Sequence, residues 1–151
     1  MLLSYATLLP CRQDKDKKLM NEAITRYSST LPFPFATATE VNGILYLSGQ
    51  VSMTAQAEPV YGDVAAQTDT VLDNISKTLE GMSSDFNNIF KVNVWLSDMK
   101  HFAEFNRAYA KWFKNGFPSR SVVSCSLAFD LDVEIEVQAL AGKPHRDNER
   151  Y

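Results

Sequence analysis

Val133-Glu134-Ile135-Glu136-Val137-Gln138-Ala139 is the stretch that decides the fold. Its apolar residues recur at every second position, the period of a strand whose side chains point alternately to opposite faces. Val133, Ile135, Val137 and Ala139 share one face, and Glu134 and Glu136 fall on the other. Upstream, in Phe117-Pro118-Ser119-Arg120-Ser121-Val122-Val123, a second β-branched segment carries Arg120. Both segments read as core strands, where an ionised side chain costs free energy unless something pairs with it. A guanidinium so placed can meet a ligand carboxylate as a fork, and a nearby carboxylate can move a proton or hold a water. Arg120 and Glu134 together therefore point to a small-molecule site. Spacing alone leaves a plainer alternative open: Arg120 pairs with a surface carboxylate, and Glu134, like Glu136, faces solvent.

Outward from this pair, Phe90 to Leu96 alternates with period two and predicts a half-buried strand. Ser97-Asp98 starts a turn into a helix with Phe102, Phe105, Tyr109, Trp112 and Phe113 on one face, and Phe117-Pro118 ends that connection. An earlier helix is capped by Gly62-Asp63, buries Val64, Thr68, Val71, Leu72, Ile75 and Leu79 at helical spacing, and closes at Gly81. The organised domain begins near Leu31-Pro32-Phe33-Pro34-Phe35, with a strand running to Val41. Asn42-Gly43 predicts a type I′ hairpin into Ile44–Leu47. That strand ends at Ser48-Gly49-Gln50, where glycine admits another backbone or a ligand. With final strands at about 119–126 and 132–141, the order is ββ-α-β-α-ββ. This is an α+β fold, one layer of mixed β-sheet with two helices packed on one face. Residues 1–30 read as a leader outside the core, with a short helical pattern through Leu19, Ala23 and Ile24. Residues 31–142 form the domain, and 143–151 a polar tail.

A chain of 151 residues with 45% hydrophobic and 22% charged content is one soluble globular domain by these measures. A net charge of −3 argues against a nucleic-acid partner, which needs concentrated Lys and Arg. Lys15, Lys17 and Lys18 are interleaved with Asp14 and Asp16 and read as a solvated surface. No apolar run approaches a membrane span. Cys11 and Cys125 make no disulfide framework, so a reducing, cytoplasmic setting is expected. Met1 to Cys11 lacks a basic n-region and a cleavage site, and an exported form is expected only if the leader is a signal remnant. His101, His145 and the cysteines lack metal-ligand spacing, and both histidines read as solvated. Six glycines without a phosphate-cradling arrangement imply no nucleotide cofactor. Asn106 lies between Phe102 and Tyr109 on an apolar helix face, where its amide must be satisfied by a tether to a strand or by a ligand. Ser48 has no histidine near it in sequence, so a hydrolase triad has little support.

Read together, these segments resemble the RidA (YjgF-type) family of enamine/imine deaminases, long labelled "endoribonuclease L-PSP". The resemblance rests on Asn42-Gly43-Ile44-Leu45-Tyr46-Leu47-Ser48-Gly49-Gln50-Val51, on Gly62 to Thr68 with Leu72-Asp73-Asn74-Ile75, and on Ile89 to Met99. It continues through Phe102-Ala103-Glu104-Phe105-Asn106, Pro118-Ser119-Arg120-Ser121 and Val133 to Ala139, covering roughly residues 31–142. It implies a chorismate-mutase-like (bacillus type) protomer in a homotrimer, with sites in the clefts between subunits. The activity implied is that of a 2-iminobutanoate/2-iminopropanoate deaminase-type hydrolase, acting without metal or organic cofactor on small substrates with a carboxylate. By the same resemblance Arg120 grips the substrate carboxylate and Glu134 positions or activates water. Ser48 and Gly49 line the pocket, and Asn106 matches the asparagine of the second helix. Phe35, after Pro34, stands where the family has a tyrosine and lacks its hydroxyl. Val122 stands where a cysteine is frequent, at a position used largely through its backbone N–H. The lost hydroxyl favours one alternative, a non-catalytic trimer that binds a small metabolite or acts as a chaperone.

Overall fold

The computed structural model describes residues 23–142. Strand β1 (Ile24–Ser28) lies antiparallel to β2 (Ala36–Val41), which returns as β3 (Ile44–Leu47). The turn between β2 and β3 is the expected one: Asn42 and Gly43 both take positive φ, 51° and 76°. After Ser48-Gly49 comes the two-residue strand β4 (Gln50–Val51), then helix α1 (Val64–Gly81). The chain continues through β5 (Ile89–Leu96), helix α2 (Phe102–Ala110), β6 (Ser119–Ser124) and β7 (Val133–Leu140).

The last strand lies inside the sheet. The order is β1-β2-β3-β7-β5-β6, and β4 pairs with the first half of β7 beyond the end of β3. Only β5 and β6 run parallel, since α2 carries the chain back between them; the other pairs are antiparallel. The sheet is therefore mixed, and the α+β reading holds. Val92, Val94 and Leu96 of β5 and Val133, Ile135, Val137 and Ala139 of β7 are buried with Val71, Leu72, Ile75 and Leu79 of α1 and Phe105 and Tyr109 of α2. Each such side chain contributes roughly 1.5–3 kcal/mol by leaving water, so the two central strands and the helix stripes fix the layer.

Several expectations shift in detail. The sheet begins at Ile24, ahead of the boundary expected at residue 31. Ile24 is a strand residue rather than part of a helical pattern, and Leu19 lies outside the described residues. β1 is tied on by Tyr27, whose Oη donates to Glu40 Oε2 at 2.7 Å. Asp63 caps α1 as expected, accepting from Ala66 N at 2.8 Å. Gly81, expected to close that helix, is its last residue; Met82 is the C-cap and Ser83 takes the positive φ, 58°. On α2 the aromatic stripe is buried at Phe105 and Tyr109, whereas Phe102 is exposed, and Trp112 and Phe113 lie past the helix end. β6, expected to be a core strand, is the edge of the sheet. No described helix is long and apolar enough to cross a membrane.

Candidate functional site

The register places Arg120 and Glu134 on opposite faces of the sheet. Arg120 pairs across β6–β5 with Val92, which pairs with Val137, and both valines are buried beneath the helices. Glu134 pairs with Trp95, whose β6 partner is the exposed Val123. Residues opposite one another on paired strands share a face, so Arg120 points to the helix layer and Glu134 away from it. They belong to two separate cavities.

Arg120 lies over α2. Its Nη2 donates to Asn106 Oδ1 at 2.8 Å, and its guanidinium carbon sits 4.7, 5.5 and 5.9 Å from the ring centroids of Tyr109, Phe105 and Phe102. Aromatic faces hold a cation there without neutralising it. No carboxylate pairs with it among the described residues, and most of its N–H donors stay free. Asn106 is thus the helix-to-strand tether, and Arg120 is oriented by it rather than spent on an ion pair. A cavity of about 330 Å³ opens beside it, lined by Asn106, Tyr109, Phe117 and Pro118. Val122, opposite Val94, packs partly buried against the core. The Tyr109 hydroxyl is buried with no partner among the described residues. Burial pushes that phenol up to about 12, with the Arg120 charge pulling weakly the other way.

The second cavity, about 630 Å³, wraps the open edge of β4. Phe35, Ser48, Gly49 and Glu134 all line it, as do Asn74 and Thr78 of α1. Glycine at position 49 has a steric reason: a Cβ there would overlap the Glu134 carboxylate. The Ser48 hydroxyl donates to Ala36 O at 2.6 Å, so it ties β3 to the start of β2. Burial, and then the negative charge of Glu136, raise the Glu134 carboxyl above its ordinary value. Glu136 itself accepts from Asn93 Nδ2 at 2.9 Å, across the β5–β7 pair. A half-buried carboxyl raised in this way is suited to taking and returning a proton. Most residues lining these two cavities had no functional reading in the sequence, among them Tyr109, Asn74, Phe33 and Phe129. Tyr109 passes as core stripe, Asn74 as the polar side of α1, and Phe33 and Phe129 as loop aromatics. The signal available was that two phenylalanines in irregular segments flank the strand ends.

His101, expected to be solvated, is half-buried with Nε2 3.7 Å from Asp132 Oδ1. Ser97 Oγ donates to the same Asp132 oxygen rather than to the histidine, so these three residues make no nucleophile. They form a lock with Gln67, whose Nε2 donates to Asp132 Oδ2 at 3.1 Å and whose Oε1 accepts from Asp132 N at 2.8 Å. Cys125 is exposed just past β6 and has no disulfide partner among the described residues; Cys11 and His145 lie outside the described residues. No cluster of metal-ligating side chains occurs among the described residues.

Comparison with known proteins agrees with this architecture. Residues 21–142 match the family described as Endoribonuclease L-PSP, a span that includes β1. Protein HMF1 of Saccharomyces cerevisiae is 38% identical over 109 residues, 72% of this chain and 84% of that protein. The crystal structure of yeast Mmf1 is 39% identical with a TM-score of 0.72, covering 78% of this chain and 98% of that one. The crystal structure of E. coli TdcF with bound serine is 25% identical with a TM-score of 0.68, covering 73% and 90%. In sequence and in its chorismate-mutase-like fold, the chain belongs to the Endoribonuclease L-PSP family, the RidA (YjgF-type) proteins.

Proposed function

We propose that the protein hydrolyses reactive 2-enamino and 2-imino acids, such as 2-aminoacrylate, to 2-keto acids and ammonia, at sites that neighbouring copies of a homotrimer build together. One observation carries this reading. A single chain holds Arg120 and Glu134 on opposite faces of its sheet, each beside a cavity and each with hydrogen-bonding capacity to spare. A carboxylate anchor and a proton carrier so separated need a second copy to meet over one substrate. The serine on E. coli TdcF supports a small ligand with a carboxylate. The exposed Cys125, with no disulfide partner among the described residues, suits a reducing, cytoplasmic setting.

The chemistry needs only protons and water. The enamine shifts a proton from nitrogen to carbon and becomes the imine. Water then adds its oxygen to the imine carbon as one of its protons passes to Glu134. Glu134 returns that proton to the nitrogen to give the neutral carbinolamine. The remaining proton of the added water then passes from the hydroxyl to the nitrogen as the C–N bond breaks, so ammonia leaves as the carbonyl forms. Arg120 fixes the carboxylate through two parallel N–H donors. Proton transfer by Glu134 is worth about 10²–10⁴-fold. Arg120→Ala should abolish ammonia release from an imine generated in situ while sedimentation still reports a trimer. Full activity in that variant removes Arg120 from the mechanism, and a fully active monomer removes the shared site.

Phe35 favours a second reading, a trimer that binds a metabolite without turning it over, because the cavity wall there has no hydroxyl to offer. Thermal stabilisation by a 2-keto acid with no ammonia released from any imine would select it.

A further inference from the structure

The cavity beside Glu134 is much larger than a three-carbon acid requires. In a single protomer it spans about 630 Å³, open to solvent. The six heavy atoms of such an acid, at no more than the ~30 Å³ that a water takes in the liquid, fill under about 200 Å³. Much of the remaining wall is aromatic. Phe33 and Phe35 stack with ring centroids 5.8 Å apart, and Phe129 meets Phe33 at 6.1 Å. Phe35 and Phe129 are each 43% exposed, so ring surface stands open to an entering group.

Phe129 holds its place against its own backbone preference. It has φ 61° and ψ 21°, and Asp130 follows at φ 52°. A bulky side chain rarely adopts this left-handed region, and it persists only where the surroundings impose it. Here Tyr61 Oη donates to Phe129 O at 3.1 Å, and Leu131 N donates to Ala128 O at 3.3 Å. A glycine would relax the turn but would leave the cavity without that ring.

We infer that this cavity selects 2-imino acids, and their 2-keto products, that carry an aromatic or long aliphatic side chain, and that Phe129 sets the preference. Such imines arise when the corresponding amino acids are oxidised at the Cα–N bond. The inference rests on the deaminase reading for the carboxylate end of the ligand and adds the side-chain end. Apolar matter buried against Phe33, Phe35 and Phe129 gains what a three-carbon acid leaves exposed.

Titration calorimetry of the full chain with phenylpyruvate and with pyruvate tests the preference without turnover. Phenylpyruvate should bind at least about tenfold more tightly, within the ~10–200-fold that one extra methylene is worth in an apolar pocket. Phe129→Gly, which keeps the fold by fitting the positive φ, should bring the ratio close to unity, and Phe129→Trp should restore it. Equal or tighter pyruvate binding, no phenylpyruvate binding, or a ratio unmoved by Phe129→Gly overturns the inference. Ammonia release from the imines of phenylalanine and alanine is measured in parallel. Selective binding with no ammonia from either imine sinks the deaminase reading and leaves the side-chain preference standing. Ammonia from both imines with no selectivity does the reverse.

Discussion

Gly49→Ala should separate stability from activity. A Cβ at this position overlaps Glu134 Oε1 and comes within 3.2 Å of Cδ, while no backbone atom stands in its way. The carboxyl group must therefore swing aside, and its flexible end can do so at the cost of an off-rotamer torsion, about 0.5–1.5 kcal/mol. Replacing glycine by alanine restricts the unfolded chain and returns about 0.4–1 kcal/mol, because Gly49 is not among the residues with left-handed backbone. The net change is within about 1 kcal/mol, or a Tm shift of no more than ~4 °C for a chain of this length. Turnover is another matter, since a group misplaced by about 1 Å can cost ~10²-fold. The paired measurement is a thermal melt with ammonia release from an imine made in situ by an amino-acid oxidase. A variant that melts like the parent and keeps full turnover would show that the place of the Glu134 carboxylate is immaterial. A variant that loses both fold and activity would show that the steric cost had been misjudged.

Other outcomes follow from the same geometry. The Glu134 carboxyl is raised above 4.5 in the folded chain, so between the two values the folded state binds more protons than the unfolded one. Its contribution is whole below 4.5 and is lost as pH rises through the folded value, so Glu134→Gln should melt higher than the parent at neutral pH and no higher in acid. A lower melt at neutral pH would contradict the burial argument. Tyr109→Phe removes a buried hydroxyl that has no partner among the described residues, and should raise stability to urea by about 1–3 kcal/mol; a loss instead would mean that the assembled protein supplies a partner. Arg120→Lys keeps the charge but gives up both the fork and the stack of rings, so kcat/KM should fall roughly 10–100-fold, mainly through KM. Parent-like KM in that variant would reduce Arg120 to a point charge.

The local structure was largely legible because it depends on near neighbours. The Asn42-Gly43 turn, the Asp63 cap, the buried stripe of α1 and the alternation of β7 each follow from a few adjacent side chains. β1 escaped because an edge strand shows no period-two stripe; of Ile24 to Ser28, only Ile24 and Tyr27 are even partly buried. β4 escaped because two residues carry no period at all. The close of α1 is not legible in the sequence, since the left-handed residue is Ser83 rather than the glycine two residues before it. His101 reads as solvated in the sequence because its partner, Asp132, is distant along the chain.

What the sequence determined by itself was the identity of both helices and of five of the seven strands, the two charged residues worth following, and the side of β7 on which Glu134 lies. Four apolar residues on one face of β7 leave no doubt about the other. The side to which Arg120 points was left to the tertiary structure. Val122 and Val123 stand next to each other in β6, so either face of that strand could have been the buried one. The parallel pairing with β5 settled it by setting Arg120 opposite Val92 and Val122 opposite Val94, beneath the helices. Long-range register, which no local pattern encodes, is what divides Arg120 from Glu134 and leaves each beside its own cavity.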